Sequence, residues 1–164
     1  MISTLTEARV VGIAEIAISD SPDDVIVTYS LGSCLGVTIW DPVSGVGGLA
    51  HFVLPISKDH AERASERPGM FVDTGFVHLI KTFEERGGNR NRAVIKLAGA
   101  ANAIAATARF AIGKRNYAVF CRLLMKNGLE VHGEDVGGSI PRTLLLHMAD
   151  GRTVMKTHEE ELVL

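Results

Sequence analysis

Cys34 and His51 are the two side chains in this chain best suited to acyl transfer, and both fall in one glycine-rich stretch, VTYSLGSCLGVTIWDPVSGVGGLAHFVLP, from Val27 to Pro55. A thiol attacks as its thiolate. A neighbouring imidazole favours that form and can hand a proton to a leaving amine, which is the minimum needed to open an amide or an ester. Leu31-Gly32-Ser33, directly before Cys34, breaks regular backbone, and small residues there let N–H groups converge where an oxyanion would form. From spacing alone a second reading stands beside this one. Free cysteines are usually small core residues, and His51 would then be a half-buried strand histidine.

The elements that must position the pair are strands. Val25 to Tyr29 is a β-branched run, Leu35 to Trp40 reads as a strand, and Gly48 to Leu54 as its return after the turn Asp41-Pro42-Val43-Ser44-Gly45. If Asp41 faces Ser44 across that turn, the register sets Cys34 directly opposite His51, within reach of a thiol–imidazole contact. A shift of two residues makes them diagonal neighbours on one face; a shift of one separates them onto opposite faces. The catalytic reading therefore depends on the parity of one turn.

Elsewhere, Val10 to Ile18 reads as a strand with Glu15 out of place on its apolar parity, and Ser19 to Asp24 as a turn. A short helix is expected around Asp59 to Glu66. A longer one follows from an Asp73 N-cap to Arg86, with Phe76, Leu79, Ile80 and Phe83 at helical spacing and Gly87-Gly88 as its stop. Ala93 to Ala98 reads as a strand, and the alanine-rich AGAANAIAATARF is left open between loop and helix. A second main helix is expected from Asn116 to Asn127. Strands are expected at Leu129–Val131, Thr143–Met148 and Thr153–Thr157, the last two joined at Asp150-Gly151. Asp135-Val136-Gly137-Gly138 reads as a turn, Cys121 as packing, and Glu159-Glu160-Glu161 as a solvated tail. The fold class expected is α+β, layered, with mostly antiparallel β-sheets and two main helices packed on the outside.

A chain of 164 residues that is 46% hydrophobic suits a single domain over 1–164. Its 17 Lys+Arg against 19 Asp+Glu give no basic field for nucleic acid or anionic membrane, and no segment approaches a membrane span, so a cytoplasmic protein is expected. Cys34 and Cys121 form no disulfide framework. His51, His60, His78, His132, His147 and His158 show no metal-ligand spacing, and no GxGxxG or Walker loop opens a helix; no metal or cofactor is expected.

The Val27–Pro55 stretch resembles the signature of the CheD family, the chemoreceptor glutamine deamidases of bacterial and archaeal chemotaxis, in which LGSC and a following AHxxLP carry the active cysteine and histidine. The likeness continues through Lys96-Leu97, Gly99-Ala100, Ile112-Gly113, Arg115-Asn116, Asp135, Gly137-Gly138 and Arg142. It departs in Lys96-Leu97-Ala98-Gly99-Ala100-Ala101, where the family usually has K-L/V-F-G-G-A, at Phe71, where tyrosine is usual, and at Pro141, where glycine is common. The resemblance implies Cys34 as nucleophile, His51 as general base and acid, and Thr28 as the polar residue that orients the histidine. It implies hydrolysis of glutamine side-chain amides, and of glutamyl methyl esters by the same machinery, without a cofactor. The implied partners are the cytoplasmic helical bundle of chemotaxis receptors, as substrate, and a CheC-type chemotaxis phosphatase. An adaptor that chiefly binds and stimulates that phosphatase is the alternative. A groove beside Cys34 that accepts a helix would draw on Phe52, Leu54 or Met70, although Phe52 and Leu54 read more simply as packing.

Overall fold

Leu35, Val37 and Ile39 are fully buried on one side of their strand, among helical side chains, while Gly36, Thr38 and Trp40 turn to the other side. That two-residue alternation creates the layers. A computed structural model describes residues 7–102 and 111–164. In chain order the strands are β1 (Arg9–Val10), β2 (Ile16–Ser19), β3 (Val25–Leu31), β4 (Leu35–Trp40) and β5 (Gly47–Phe52). After helices α1 (Ala61–Glu66) and α2 (Val72–Glu85) come β6 (Val94–Gly99), α3 (Ile112–Lys126), β7 (Gly133–Val136), β8 (Arg142–His147), β9 (Arg152–Lys156) and β10 (Glu161–Val163).

Two five-stranded sheets result, ordered β1-β3-β8-β9-β10 and β2-β5-β4-β6-β7. The β1–β3 and β6–β7 pairs are parallel and the rest antiparallel. Between the sheets lie Ile26, Leu31, Leu49, Leu144, Leu146 and Met155. The outer face of the second sheet packs on α2 and α3 through Phe52, Phe76, Leu79, Phe83, Phe120 and Leu124. Phe120 meets Phe52 and Phe76 at centroid distances of 6.1 and 5.7 Å. Each such side chain contributes about 1.5–3 kcal/mol of burial. This is the expected α+β layering, with the two long helices of the described residues packed on the outer face of the second sheet.

Several expectations are corrected. Val10 to Ile18 is two strands in different sheets, because the Glu15 carboxylate accepts the Gly12 N–H (2.7 Å) and closes a turn at Ala14, whose φ is +64°. Asp73 lies inside α2 rather than at its cap, and its carboxylate accepts from Ser57 and Thr74. Leu129 and Val131 pack on the helical core instead of pairing, so β7 starts later, at Gly133, and takes in Asp135 and Val136. Glu161 belongs to β10 and pairs with Lys156, which gives the acidic tail a ladder. Helix α3 starts at Ile112, ahead of Asn116. Much of the alanine-rich segment, 103–110, lies outside the described residues.

Candidate active site

The β4–β5 ladder places Gly36 opposite His51 and Leu35 opposite Phe52, two residues away from the register in which Cys34 faces His51. The cause is a wider loop. Asp41 pairs with Val46 (N···O 2.8 Å), its carbonyl accepts the Gly45 N–H (2.8 Å), and Gly45 takes φ +72°. The fully buried Asp41 carboxylate accepts the Val43 and Asn89 N–H groups and two N–H groups of Arg92, at 3.0 and 2.7 Å. Arg92 holds that carboxyl far below the usual carboxylate range. An even shift preserves parity. Cys34 therefore stays one diagonal step from His51, on the face that looks into the inter-sheet core, and packs against that core.

Across the inter-sheet space, β3 supplies Thr28, which is 0% exposed; His51 is 1% exposed. Thr28 Oγ1 lies 2.7 Å from Val11 O and 2.7 Å from His51 Nδ1. A hydroxyl has one hydrogen and a carbonyl can only accept, so that hydrogen belongs to Val11 O. His51 Nδ1–H must then donate to Thr28. Burial pushes the His51 pKa down to about 4, so the ring is neutral near pH 7 and its single proton sits on Nδ1. Nε2 is left as a lone-pair base, buried with no hydrogen-bond partner among the described residues. The backbone of His51 is fixed as well, through Ala14 N–H to its carbonyl (3.0 Å) and its own N–H to Glu15 O (3.1 Å).

Cys34 sits in the bend before β4, half-buried beside the exposed Ser33. Burial pushes its thiol up, partly offset by its own backbone N–H. The sequence reading has the histidine favouring the thiolate; here desolvation of both groups keeps the resting pair neutral. The arrangement suits general-base activation, in which the proton moves as the sulfur attacks.

The bend is held by its carbonyls. Gly32 O accepts from Ala101 N (2.8 Å), Ser33 O from Asn116 Nδ2 (2.9 Å) and Cys34 O from Ala100 N (2.8 Å). Gly99 makes this approach feasible: with φ +96°, a Cβ there would lie 2.5 Å from Cys34 O. Arg142 braces the same loop through Gly99 O (3.2 Å) and Gly137 O (2.8 Å) while paired with Asp135. Among the described residues, the non-glycine residues with positive φ are Ala14, Ser30 and Ala100, at +64°, +57° and +51°. Ala14 bonds the carbonyl of His51, Ala100 that of Cys34, and Ser30 forms the bulge that follows Thr28 in β3. Backbone strain of this kind, about 1–3 kcal/mol per residue, is characteristic of functional sites.

The structure thus brings Thr28 and His51 into contact and Cys34 onto their face. Of the apolar groove candidates, Phe52 is fully buried, Met70 is 7% exposed within a small core, and Leu54 packs against that core. Cys121 is packed against the helical core, its thiol pushed up by burial. Asn116 and Ala100 have no role in the spacing argument. Asn116 was nonetheless detectable as a polar residue on the stripe it shares with Phe120 and Leu124.

Comparison with known proteins gives a consistent result. The family model described as CheD chemotactic sensory transduction matches residues 53–157. The chain is 40% identical over 159 residues to a probable chemoreceptor glutamine deamidase CheD of Solibacter usitatus, covering 96% of this chain and 94% of that one. It is 40% identical over 150 residues to a similarly described protein of Anaeromyxobacter dehalogenans (92% and 94% covered) and 36% identical over 148 residues to one of Thermococcus kodakarensis (89% and 90%). The longest of these matches necessarily spans Thr28, Cys34 and His51, which precede the family-model match. No helix among the described residues is long and apolar enough to cross a membrane.

Proposed function

The chain belongs to the CheD family of chemotaxis proteins, and from that membership we propose that it deamidates glutamine side chains of chemotaxis receptors by covalent cysteine catalysis. The observation that carries the chemistry is the 2.7 Å Thr28–His51 contact, which commits Nδ1 as donor and leaves Nε2 as the base on the face occupied by Cys34. Its relatives, described as probable chemoreceptor glutamine deamidases, supply the substrate.

In the first half-reaction His51 Nε2 takes the thiol proton as Cys34 Sγ bonds to the glutamine Cδ, and negative charge gathers on the amide oxygen. The C–N bond then breaks, and the proton held on Nε2 leaves with ammonia, giving a thioester. In the second half-reaction Nε2 takes a proton from water as its oxygen attacks the same carbon. The C–S bond breaks, the proton returns to sulfur, and glutamate is released. Thr28 holds the imidazole through both proton transfers. A glutamyl methyl ester follows the same path with methanol as the leaving group.

The substrate is then the cytoplasmic helical bundle of the receptor, which places the enzyme in the cytoplasm, and by family resemblance a CheC-type phosphatase is its regulatory partner. The test is to incubate the protein with receptor cytoplasmic fragments and weigh the peptides. Each converted glutamine gains about 1 Da as –NH2 becomes –OH. Cys34→Ala must abolish the gain; a gain that persists would remove Cys34 from the mechanism. Phosphatase stimulation that survives Cys34→Ala, in a protein that deamidates nothing, would favour the adaptor role.

A further inference from the structure

Asn116 is fully buried in α3, and its Nδ2 donates to Ser33 O at 2.9 Å and to Val53 O at 3.0 Å. The orientation of the amide is fixed by chemistry: an atom between two carbonyl oxygens must be the NH2 group. Its Oδ1 is buried without a hydrogen-bond partner among the described residues. A buried orphan acceptor costs free energy, and leucine would fill this stripe beside Phe120 and Leu124 without that cost. The amide is therefore serving something other than helix packing.

The two carbonyls it joins belong to the two strand ends that carry the proposed chemistry. Ser33 and Cys34 lie in the bend that leads into β4, and Val53 follows His51 and Phe52 at the end of β5. The β4–β5 ladder ends at Leu35 and Phe52, so the chain on either side of that last pair, with Cys34 in it, lies beyond the reach of ladder hydrogen bonds. Asn116 supplies the cross-link there. It has a second effect, because the peptide between Ser33 and Cys34 is trans, so its C=O and N–H point in opposite directions. Holding Ser33 O toward α3 aims the Cys34 N–H away from α3, and that N–H lies beside the Cys34 sulfur. Ala101 acts alike on the peptide before it, aiming the Ser33 N–H away from its bond to Gly32 O.

We propose that Asn116 is the positioning residue of the cysteine centre: it joins the Cys34 and His51 strand ends beyond their ladder and turns the Cys34 N–H toward the place where the amide oxygen gathers charge. The proposal rests on the deamidase reading for the identity of that oxygen, but the cross-link stands apart from it.

The test compares wild type with Asn116→Asp, close in volume but with an acceptor where the donor was, and Asn116→Ser, on two readouts. With receptor fragments, each variant that melts cooperatively is expected to lose about 100-fold or more in kcat with KM within about threefold, the size of one lost oxyanion donor. Unchanged kcat in a folded variant overturns the proposal. The second readout needs no substrate: in a Cys121→Ser background, the rate of Cys34 alkylation by iodoacetamide near pH 7 is measured beside His51→Ala. The Asn116 variants are expected to fall to the His51→Ala rate, and retention of the wild-type rate overturns the cross-link. If wild type deamidates nothing, the deamidase reading fails while alkylation still decides the role of Asn116. Should neither variant fold, side-chain amide exchange in 15N-labelled wild type decides. A carboxamide held by two carbonyls exchanges far more slowly than that of the exposed Asn91, and equal exchange overturns the proposal.

Discussion

Gly36 stands directly across the β4–β5 ladder from His51, and a Cβ on it would lie 2.6 Å from Leu31 Cδ1 and 3.0 Å from Leu144 Cδ2. The absence of a side chain there lets the second sheet settle onto the first closely enough for His51 to meet Thr28. Gly36→Val is expected to force the sheets apart, costing about 1–3 kcal/mol as overpacking does. Chemical denaturation measures the cost. Receptor-fragment deamidation should fall by more than the loss of folded protein explains, and activity tracking the folded fraction alone would contradict this.

Thr28→Val keeps the volume and removes the hydroxyl. It orphans Val11 O and His51 Nδ1–H in a buried place, at an expected cost of about 1–3 kcal/mol. The imidazole is also freed to place its proton on Nε2, where it no longer serves as base, so kcat is expected to drop roughly 10- to 100-fold. Thr28→Ser retains both hydrogen bonds and should keep most of the activity. Equal loss in the two variants would show that shape, and not the hydroxyl, matters.

His51 titrates at about 4 in the folded protein against an ordinary 6.5. Below the ordinary value the unfolded chain binds the proton and the folded protein does not, so stability is full above about pH 6.5 and declines as pH falls toward 4. The loss amounts to about 3 kcal/mol at the bottom of that window, at about 1.4 kcal/mol per unit. Burial shifts His147 in the same direction, so the difference between wild type and His51→Gln isolates the share of His51. Urea titrations at pH 5 and 7 should show a smaller drop in the variant. As the proposed base, His51 stays largely unprotonated to about pH 5, so the acid limb of deamidation should lie below that of a free imidazole.

Removing Arg92 leaves the buried Asp41 carboxylate with its backbone donors and no cation. Arg92→Ala is expected to lower stability, because it leaves a buried charge without its cation, and chemical denaturation measures the loss. Asp41→Ala removes the carboxylate bonds to Val43, Asn89 and Arg92, leaves the loop its backbone bonds, and should loosen the β4–β5 register, lowering alkylation of Cys34 together with stability. An unchanged alkylation rate in a folded Asp41→Ala protein would uncouple the loop from the site.

Strands β3, β4, β8 and β9 and both main helices are legible from period and punctuation, because each buries one face continuously and stops at glycine or a polar turn. The β4–β5 register is not legible, since Pro42 signals a tight turn while Asp41, by gathering Val43, Asn89 and Arg92, builds a wider one. The dependence of the site on parity is legible all the same, and it survives the shift. Thr28 enters only through family resemblance; on a strand it is an ordinary β-former, and its partner lies in the other sheet. Asn116 leaves a local trace as a polar residue on an apolar stripe, whereas its targets, Ser33 and Val53, are far away in sequence.

The Thr28–His51 contact runs from one sheet to the other, and under the proposed mechanism this governs when the chain first becomes reactive. A nascent β4–β5 hairpin already holds both the sulfur and the imidazole, yet nothing in it selects which ring nitrogen keeps the proton. That selection waits for β3, which precedes the hairpin in the chain, to dock across the sheets, and the Asn116 clamp waits for α3, which follows both in the chain. On the proposed mechanism a half-made or partly unfolded chain therefore carries an unarmed thiol, and the fold serves as its own safety catch.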